Sequence, residues 1–592
     1  MLHRTHRQEE ILKENLSDQS ASAQWSDTYP ALIFTIAFVF IFLLHIPLLQ
    51  LPYFWDEGGY YIPAARDILF AGSLIPRSAV SNAHPPLVMA WLALWWKVVG
   101  YAPLVTRTAM LVLAAFSLAG VFRLAERAAN TNVALASALC TALYPVLFAQ
   151  SSLAHVDLAA AGFTFWALSA YIEHRTIATL LWFSLAALTK ETAILAPLSL
   201  AGWEMIGMVG RRGSLRGLWM NGQDSNVEST PRIISLLIPA LPLALWYAYH
   251  YARTGYVFGN PEFFRYNVAA TLNPIRFLLA FAMRLWQISG YLHLWVLTLA
   301  TLVAMWMLPP QRDSGSERAR IALAVQMTFY VVVFAYVVAM ALIGGAVLAR
   351  YMLPAVPLVI VLSVSTLWRR ISFWRTAVVC VAVVFVAAWF WNPHYGFSPE
   401  DNLAYRDYIV LHEDGERFLE ARYPMARVLT AWPASDEISR PWLGFTTRPM
   451  RAVRIEDFSV EHVLSAAQLR SSYEVALVFS TKYEPGPALW DRWQAWTALK
   501  SRFFGFHRDL PPAAVAQILG GHIVFSERRQ GQWIAVIEIE HGEMENAEAE
   551  KKFSVLSKPN PNRPATFIFP DVDNRGPRGI CFSENCLFLL LH

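Results

Sequence analysis

The stretch ALIFTIAFVFIFLLHIPLLQLPYFWDEGGYY, residues 31–61, decides how the rest of the chain is read. Its first part, 31–51, contains no Asp, Glu, Lys or Arg. A hydrocarbon core about 30 Å thick is crossed by about 20 apolar residues in a helix. Two carboxylates, Asp56 and Glu57, follow almost at once. Gly58 and Gly59 let the chain turn there, and Pro63 suits the first turn of a second helix. The polar residues 1–30 precede this span without a small-residue cleavage site, so it reads as a retained anchor behind a cytoplasmic tail.

Composition extends that reading to a large part of the chain. Of 592 residues, 56% are hydrophobic and 16% charged, against about 25% charged in an ordinary soluble domain. Residues 31–392 hold 23 Lys/Arg and 13 Asp/Glu, whereas 393–592 hold 22 and 26. The expected fold is therefore mostly α. It comprises a polytopic helical bundle over 31–392, with an outward loop at 52–101, followed by a soluble extracytoplasmic α/β domain over 393–592. This balance excludes a disordered chain, a disulfide-knotted mini-protein and a nucleic-acid binder with a basic face.

Further spans are expected near 102–122, 132–152, 156–172, 177–189, 192–209, 232–252, 286–308, 321–345, 351–368 and 376–392. That makes eleven with the first. Segment 86–100 suits an interfacial helix better than a span. With it left out, the loops bearing Arg123, Arg127, Arg175, Arg232, Arg369 and Arg370 fall on one side, which the positive-inside rule makes cytoplasmic. The first loop, loop 253–285 and the C-terminal domain then face outward. The setting this implies is an inner (plasma) membrane, bacterial in type.

Charge inside a bilayer costs at least about 2.5–3.5 kcal/mol, so the few ionisable groups in 31–392 need a reason. On this topology Asp56, Glu57, His84, His155, Asp157, Lys190, Glu191 and Arg350 gather at outer helix ends and form one polar site. Asp56 reads as a general base at the membrane–water boundary. Arg350 breaks the positive-inside pattern, and a bound anion such as a lipid phosphate explains it. Arg253 and Arg265 are further candidates for such a clamp.

In order, these pieces resemble the GT-C membrane glycosyltransferases, and most nearly the glycosyltransferase 39 type of protein O-mannosyltransferases and aminoarabinose transferases. The matching steps are Asp56-Glu57 with Tyr60-Tyr61, His84-Pro85-Pro86-Leu87, Asp157, Thr189-Lys190-Glu191, and Arg350-Tyr351 through Pro354 to Pro357. The resemblance implies an inverting transfer of a sugar from a polyprenyl-phosphate donor to a protein, lipid or glycan acceptor at the outer face. It implies catalytic roles for Asp56, Glu57 and Asp157, and donor-phosphate contacts from His84, Arg350, Tyr351 and Lys190. The family often carries Lys where this chain has His84. Either Arg350 binds more of the phosphate, or His84 has another role, including ligation of a divalent metal. The rival from another class is a transporter or flippase of a lipid-linked sugar, but transporters place their polar groups near the midplane.

In the C-terminal part, β-rich runs stand at Arg427–Trp432, Tyr473–Ser480, His522–Ser526 and Trp533–Ile539. Helical runs stand at Val460–Leu469, Ala488–Lys500 and Ala513–Leu519. Cys581 and Cys586 are close enough in sequence to form a bridge in an oxidising compartment.

Overall fold

The structure, a computed structural model, describes residues 25–210, 229–261, 273–310, 318–343, 345–483, 493–504 and 508–540. Cys581, Cys586 and Arg265 lie outside them. The chain forms two compact units, 1–406 and 407–592. Residues 393–406, grouped with the tail on composition, belong to the first unit.

Among the described residues of that unit, five helical runs are long and apolar enough to cross a membrane: Pro30–Leu48, Pro103–Ala128, Pro231–Thr254, Pro274–Trp306 and Leu323–Leu342. Leu87–Val99, Thr131–Leu143, Thr176–Thr189 and Trp374–Phe390 are apolar but shorter. Segment 86–100 is the 13-residue helix Leu87–Val99, about 20 Å long at 1.5 Å per residue.

Two expected spans have different limits. The run 132–152 breaks at Tyr144, and a second helix, Pro145–Gln150, begins on the proline. Proline has no N–H for the preceding helix and its ring clashes with the carbonyl one turn back, so it starts a helix more readily than it continues one. The loop expected over 253–285 is partly helical: Pro274–Ser289 forms a helix, and Leu294–Trp306 follows after a break at Leu292 and His293, both at positive φ. Asn273 caps the first of these, its side chain accepting from the Ile275 and Arg276 amides. The pair Asn273-Pro274 is an N-cap and N1 signature that hydropathy alone does not register.

The helices Pro103–Ala128 and Asp157–Ile172 pack over most of their lengths. Their approach depends on Gly162. A Cβ there would lie 2.1 Å from Ser117 Oγ and 3.2 Å from Ser117 Cα. The Ser117 hydroxyl donates to the Leu158 carbonyl at 3.0 Å.

Among the described residues, the second unit contains five strands: β1 (Arg427–Ala431), β2 (Arg451–Ile455), β3 (Val475–Phe479), β4 (Gly521–Arg529) and β5 (Gln532–Ile539). They form one mixed sheet in the order β2-β1-β3-β5-β4. β1 runs parallel to β2 and β3, and β5 runs antiparallel to β3 and β4. Parallel neighbours need crossovers, here containing the helices Ala434–Ser439 and Val460–Ala467. β3 is buried throughout, as befits the centre of the sheet. The sequence reading lacks β2, whose arginines Arg451 and Arg454 disguise a strand at the sheet edge.

Replacing Gly162 with Val is expected to force the two long helices apart, at a cost of about 1–3 kcal/mol for overpacking. Thermal unfolding in detergent should show a lower Tm, and Ser117→Gly in the same chain should recover part of it.

Candidate active site

The turn after the first helix sets up the site. Glu57 is fully buried, and its carboxylate accepts the Phe54 amide at 2.9 Å and the Ala154 amide at 2.5 Å. Arg107, equally buried, pairs with it through both terminal nitrogens, one at 2.9 Å to Oε2. The same guanidinium donates to the Pro52 carbonyl at 2.8 Å and the Ser152 carbonyl at 2.9 Å. The pair thus ties the turn at 52–57 to the turn at 152–154. Glu57 is thus saturated and closed to solvent.

Holding that turn in place leaves Asp56 beside it. The Asp56 side chain is 29% exposed, whereas those of Asp157 and Glu400 are 2% and 0% exposed. Asp56 is therefore the accessible acid of the group. Its Oδ2 accepts from Arg350 Nη2 at 2.5 Å.

Arg350 is the hub. It is almost completely buried, and its Nη1 donates to Glu400 Oε2 at 2.6 Å. The same nitrogen lies 3.1 Å from His155 Nδ1. Its Nε is 3.5 Å from Asp157 Oδ2. A guanidinium has five N–H donors in a rigid fork, and this one is aimed at three carboxylates. The donor-phosphate contact expected of Arg350 would have to displace one of them.

Lys190 pairs with Asp157, and its ammonium lies 3.9 Å from the Tyr351 ring centre. The Tyr351 ring also lies 5.7 Å from Arg350 Cζ and 5.8 Å from Arg284 Cζ. His84 stands slightly apart, with its Nδ1 2.9 Å from Glu191 Oε2. The ring of Tyr61 connects the two groups, stacking on His84 at 5.9 Å and meeting His155 at 5.7 Å. The structure thus unites Asp56, Asp157, Lys190, Arg350 and Tyr351, links His84 to them through Tyr61, and sets Glu57 behind them.

Sequence reasoning missed Glu400, Asp401, Gln150 and Arg107. Gln150 Oε1 meets His155 Nδ1 at 2.8 Å, and its Nε2 donates to the Glu400 carbonyl at 3.0 Å. Tyr291 donates its hydroxyl proton to Asp401 Oδ2 at 2.5 Å. Signals existed. Arg107 is a charge inside an apolar span, and Pro399-Glu400-Asp401 follows the last apolar run much as Asp56-Glu57 follows the first.

Asp56, Asp157, Glu400 and Asp401 are four carboxylates, against the three cations Arg350, Lys190 and Arg284. Burial pushes the Glu400 carboxyl up. Arg350 opposes this, and Asp56, Asp401 and Asp157 add to it. Burial likewise raises Asp401, against the Tyr291 hydrogen bond and the charge of Arg350. Asp56, His155 and Glu400 bring ligand atoms within 4.8 Å of one another, the chemistry of a divalent metal site. The Arg350 guanidinium, however, already meets all three. The donor set does not suit a dication while that cation fills the space between them.

Residues 83–221 match the family model described as dolichyl-phosphate-mannose-protein mannosyltransferase. The chain resembles the GT-C glycosyltransferases. The matched stretch contains His84, His155, Asp157, Lys190 and Glu191, while Asp56, Arg350 and Glu400 lie outside it. No curated protein matches the chain in sequence. Among solved structures, ArnT from Cupriavidus metallidurans in the apo state aligns over 86% of this chain and 98% of its own, at 13% identity and a TM-score of 0.49. The same protein bound to undecaprenyl phosphate aligns over 86% and 97%, at 13% and 0.47. The oligosaccharyltransferase of Archaeoglobus fulgidus, in complex with Zn and sulfate, aligns over 75% and 67%, at 12% and 0.41.

The Glu57–Arg107 pair and the Arg350 cluster make separate predictions. Glu57→Ala leaves a buried guanidinium uncompensated, a loss of about 3–5 kcal/mol, so its Tm in detergent should fall far more than that of Asp56→Asn. Glu400, with its pKa raised on folding, binds a proton in the folded state that the unfolded chain has already lost. Its contribution is full below the unfolded carboxyl pKa and fades as pH rises through the raised value. The Tm of the wild type should therefore decline as pH rises from mildly acidic to mildly alkaline, and more steeply than that of Glu400→Gln.

Proposed function

We propose that this chain is an integral-membrane glycosyltransferase that moves a sugar, with inversion, from a polyprenyl-phosphate carrier to an acceptor hydroxyl or amine at the outer face of a bacterial inner membrane. The observation that carries this reading is one solvent-accessible carboxylate, Asp56, fixed by a buried guanidinium within a cluster of otherwise closed acids. The match of residues 83–221 to a family named for a polyprenyl-phosphate sugar donor supports the donor class.

In the proposed step Asp56 accepts the acceptor's proton as the acceptor oxygen or nitrogen attacks the anomeric carbon. The bond from that carbon to the phosphate oxygen breaks, and polyprenyl phosphate departs with the electron pair. Arg350 holds Asp56 Oδ2, so Oδ1 is the oxygen turned to the task. The leaving phosphate needs cations. An ammonium has three donors, so Lys190 can keep Asp157 and still donate to a phosphate oxygen over the Tyr351 ring. His84, paired with Glu191, lies across Tyr61 from the same cluster. The phosphate thus belongs to Lys190, Tyr351 and His84, and Arg350 serves as the positioning residue for the base.

A general base contributes about 10²–10⁴-fold. Asp56→Asn should lower sugar transfer by that factor in proteoliposomes supplied with a polyprenyl-phosphate sugar, with little change in protein yield or donor binding. Transfer at the wild-type rate would exclude Asp56 as the base. Movement of intact donor across the bilayer without sugar transfer would favour a flippase instead.

A further inference from the structure

The second unit buries a separate cluster. His412 and Glu416 lie one turn apart on the helix Ala404–Arg422, and Glu437 comes from the helix after β1. All three are at most 1% exposed. His412 Nδ1 is 2.6 Å from Glu437 Oε2 and 3.5 Å from Glu416 Oε1. The imidazole is packed between aromatic rings, Tyr408 at 4.0 Å and Phe479 at 4.6 Å between centres. Among the described residues neither glutamate pairs with a Lys or Arg.

Buried carboxylates without partners are costly, and this cluster leaves several atoms unmatched. Both carboxylate oxygens of Glu416, Oε1 of Glu437 and Nε2 of His412 are buried without a hydrogen-bond partner. Two carboxylates face one imidazole, so a compensating positive charge is missing. The three donor atoms all lie within 4.8 Å of one another. A zinc ion bonded at about 2.0–2.2 Å in tetrahedral geometry needs donors about 3.4 Å apart. The present spacings bracket that value.

We propose that His412, Glu416 and Glu437 form a structural site for a divalent ion of the zinc class, separate from the Arg350 cluster. One imidazole nitrogen and two carboxylate oxygens are a donor set that zinc accepts. With neutral imidazole the ion cancels both carboxylate charges. It also joins the first helix of the unit to the crossover after β1, so its effect is on stability of the fold and not on chemistry.

The test uses the full chain in detergent, equilibrated with zinc chloride and passed over a chelating resin. Zinc is then counted by mass spectrometry in the wild type, in Glu416→Gln and in the Glu416→Gln, Glu437→Gln double variant. The expected result is about one zinc per wild-type chain, lost in both variants. Stripping zinc from the wild type should lower its Tm by a few degrees. Should a variant fail to fold, the wild-type count and its Tm shift decide alone. A wild-type chain that retains no zinc, a Tm indifferent to chelation, or wild-type zinc retention in a folded double variant would each overturn the proposal.

Discussion

The first unit is organised around the guanidinium of Arg350. It is buried, and it meets carboxylates that arrive from the turn after the first helix, from the head of the helix at Asp157 and from the segment after the last apolar run. Taking several charges out of water costs several kcal/mol per ion, and their mutual attraction offsets that only with good geometry. A cluster of this kind therefore contributes little net stability, but it strongly penalises any arrangement that separates its members. It fixes where three distant segments must meet. Glu57 and Arg107 perform the same service one layer below, tying two turns through backbone carbonyls and amides.

Much of this was legible from the residues. Asp56, Asp157, Lys190 and Arg350 stand out because a charge beside or within apolar helices is rare, and rarity is visible without coordinates. Loop charge led to the expectation that they gather at the outer helix ends, and the structure brings these four together. The partners of Arg350 were harder to read. Glu400 sits just beyond the apolar region, in sequence that resembles the charged tail, so composition assigned it to the wrong neighbourhood. Glu57 shows the opposite failure. Adjacent to Asp56 and of the same charge, it looked equivalent, yet successive residues on a helical turn point about 100° apart. One reaches the accessible side and the other reaches Arg107.

Helix limits were less legible than helix existence. Hydropathy registers an apolar run but not a backbone interruption inside it, so Pro145 divided one expected span. The kink at Leu292–His293 and the cap at Asn273 shifted another. In the second unit, β1, β3, β4 and β5 announced themselves through β-branched and aromatic runs, while β2 was hidden by its arginines. Edge strands carry such charges because an unpaired edge invites pairing with another chain.

Under the proposed function, the charge count of the Arg350 cluster bears on how a donor phosphate would be received. Four carboxylates against the cations Arg350, Lys190 and Arg284 still leave one surplus negative charge, which would repel an anionic leaving group unless protons are held. Burial raises Glu400 and Asp401 in the required direction, so a proton on either of these deep acids would reduce the surplus while Asp56 remains at the front. The protein thus separates two demands that conflict at one point. The base must be anionic and reachable, and the surroundings of the phosphate must be close to neutral or positive. In the proposed step, Arg350 would serve the first demand by holding Asp56. Lys190 on the face of Tyr351, with donors to spare beyond Asp157, would serve the second. A guanidinium suits the fixed role because its fork is rigid, and an ammonium suits the shared one because its three donors rotate.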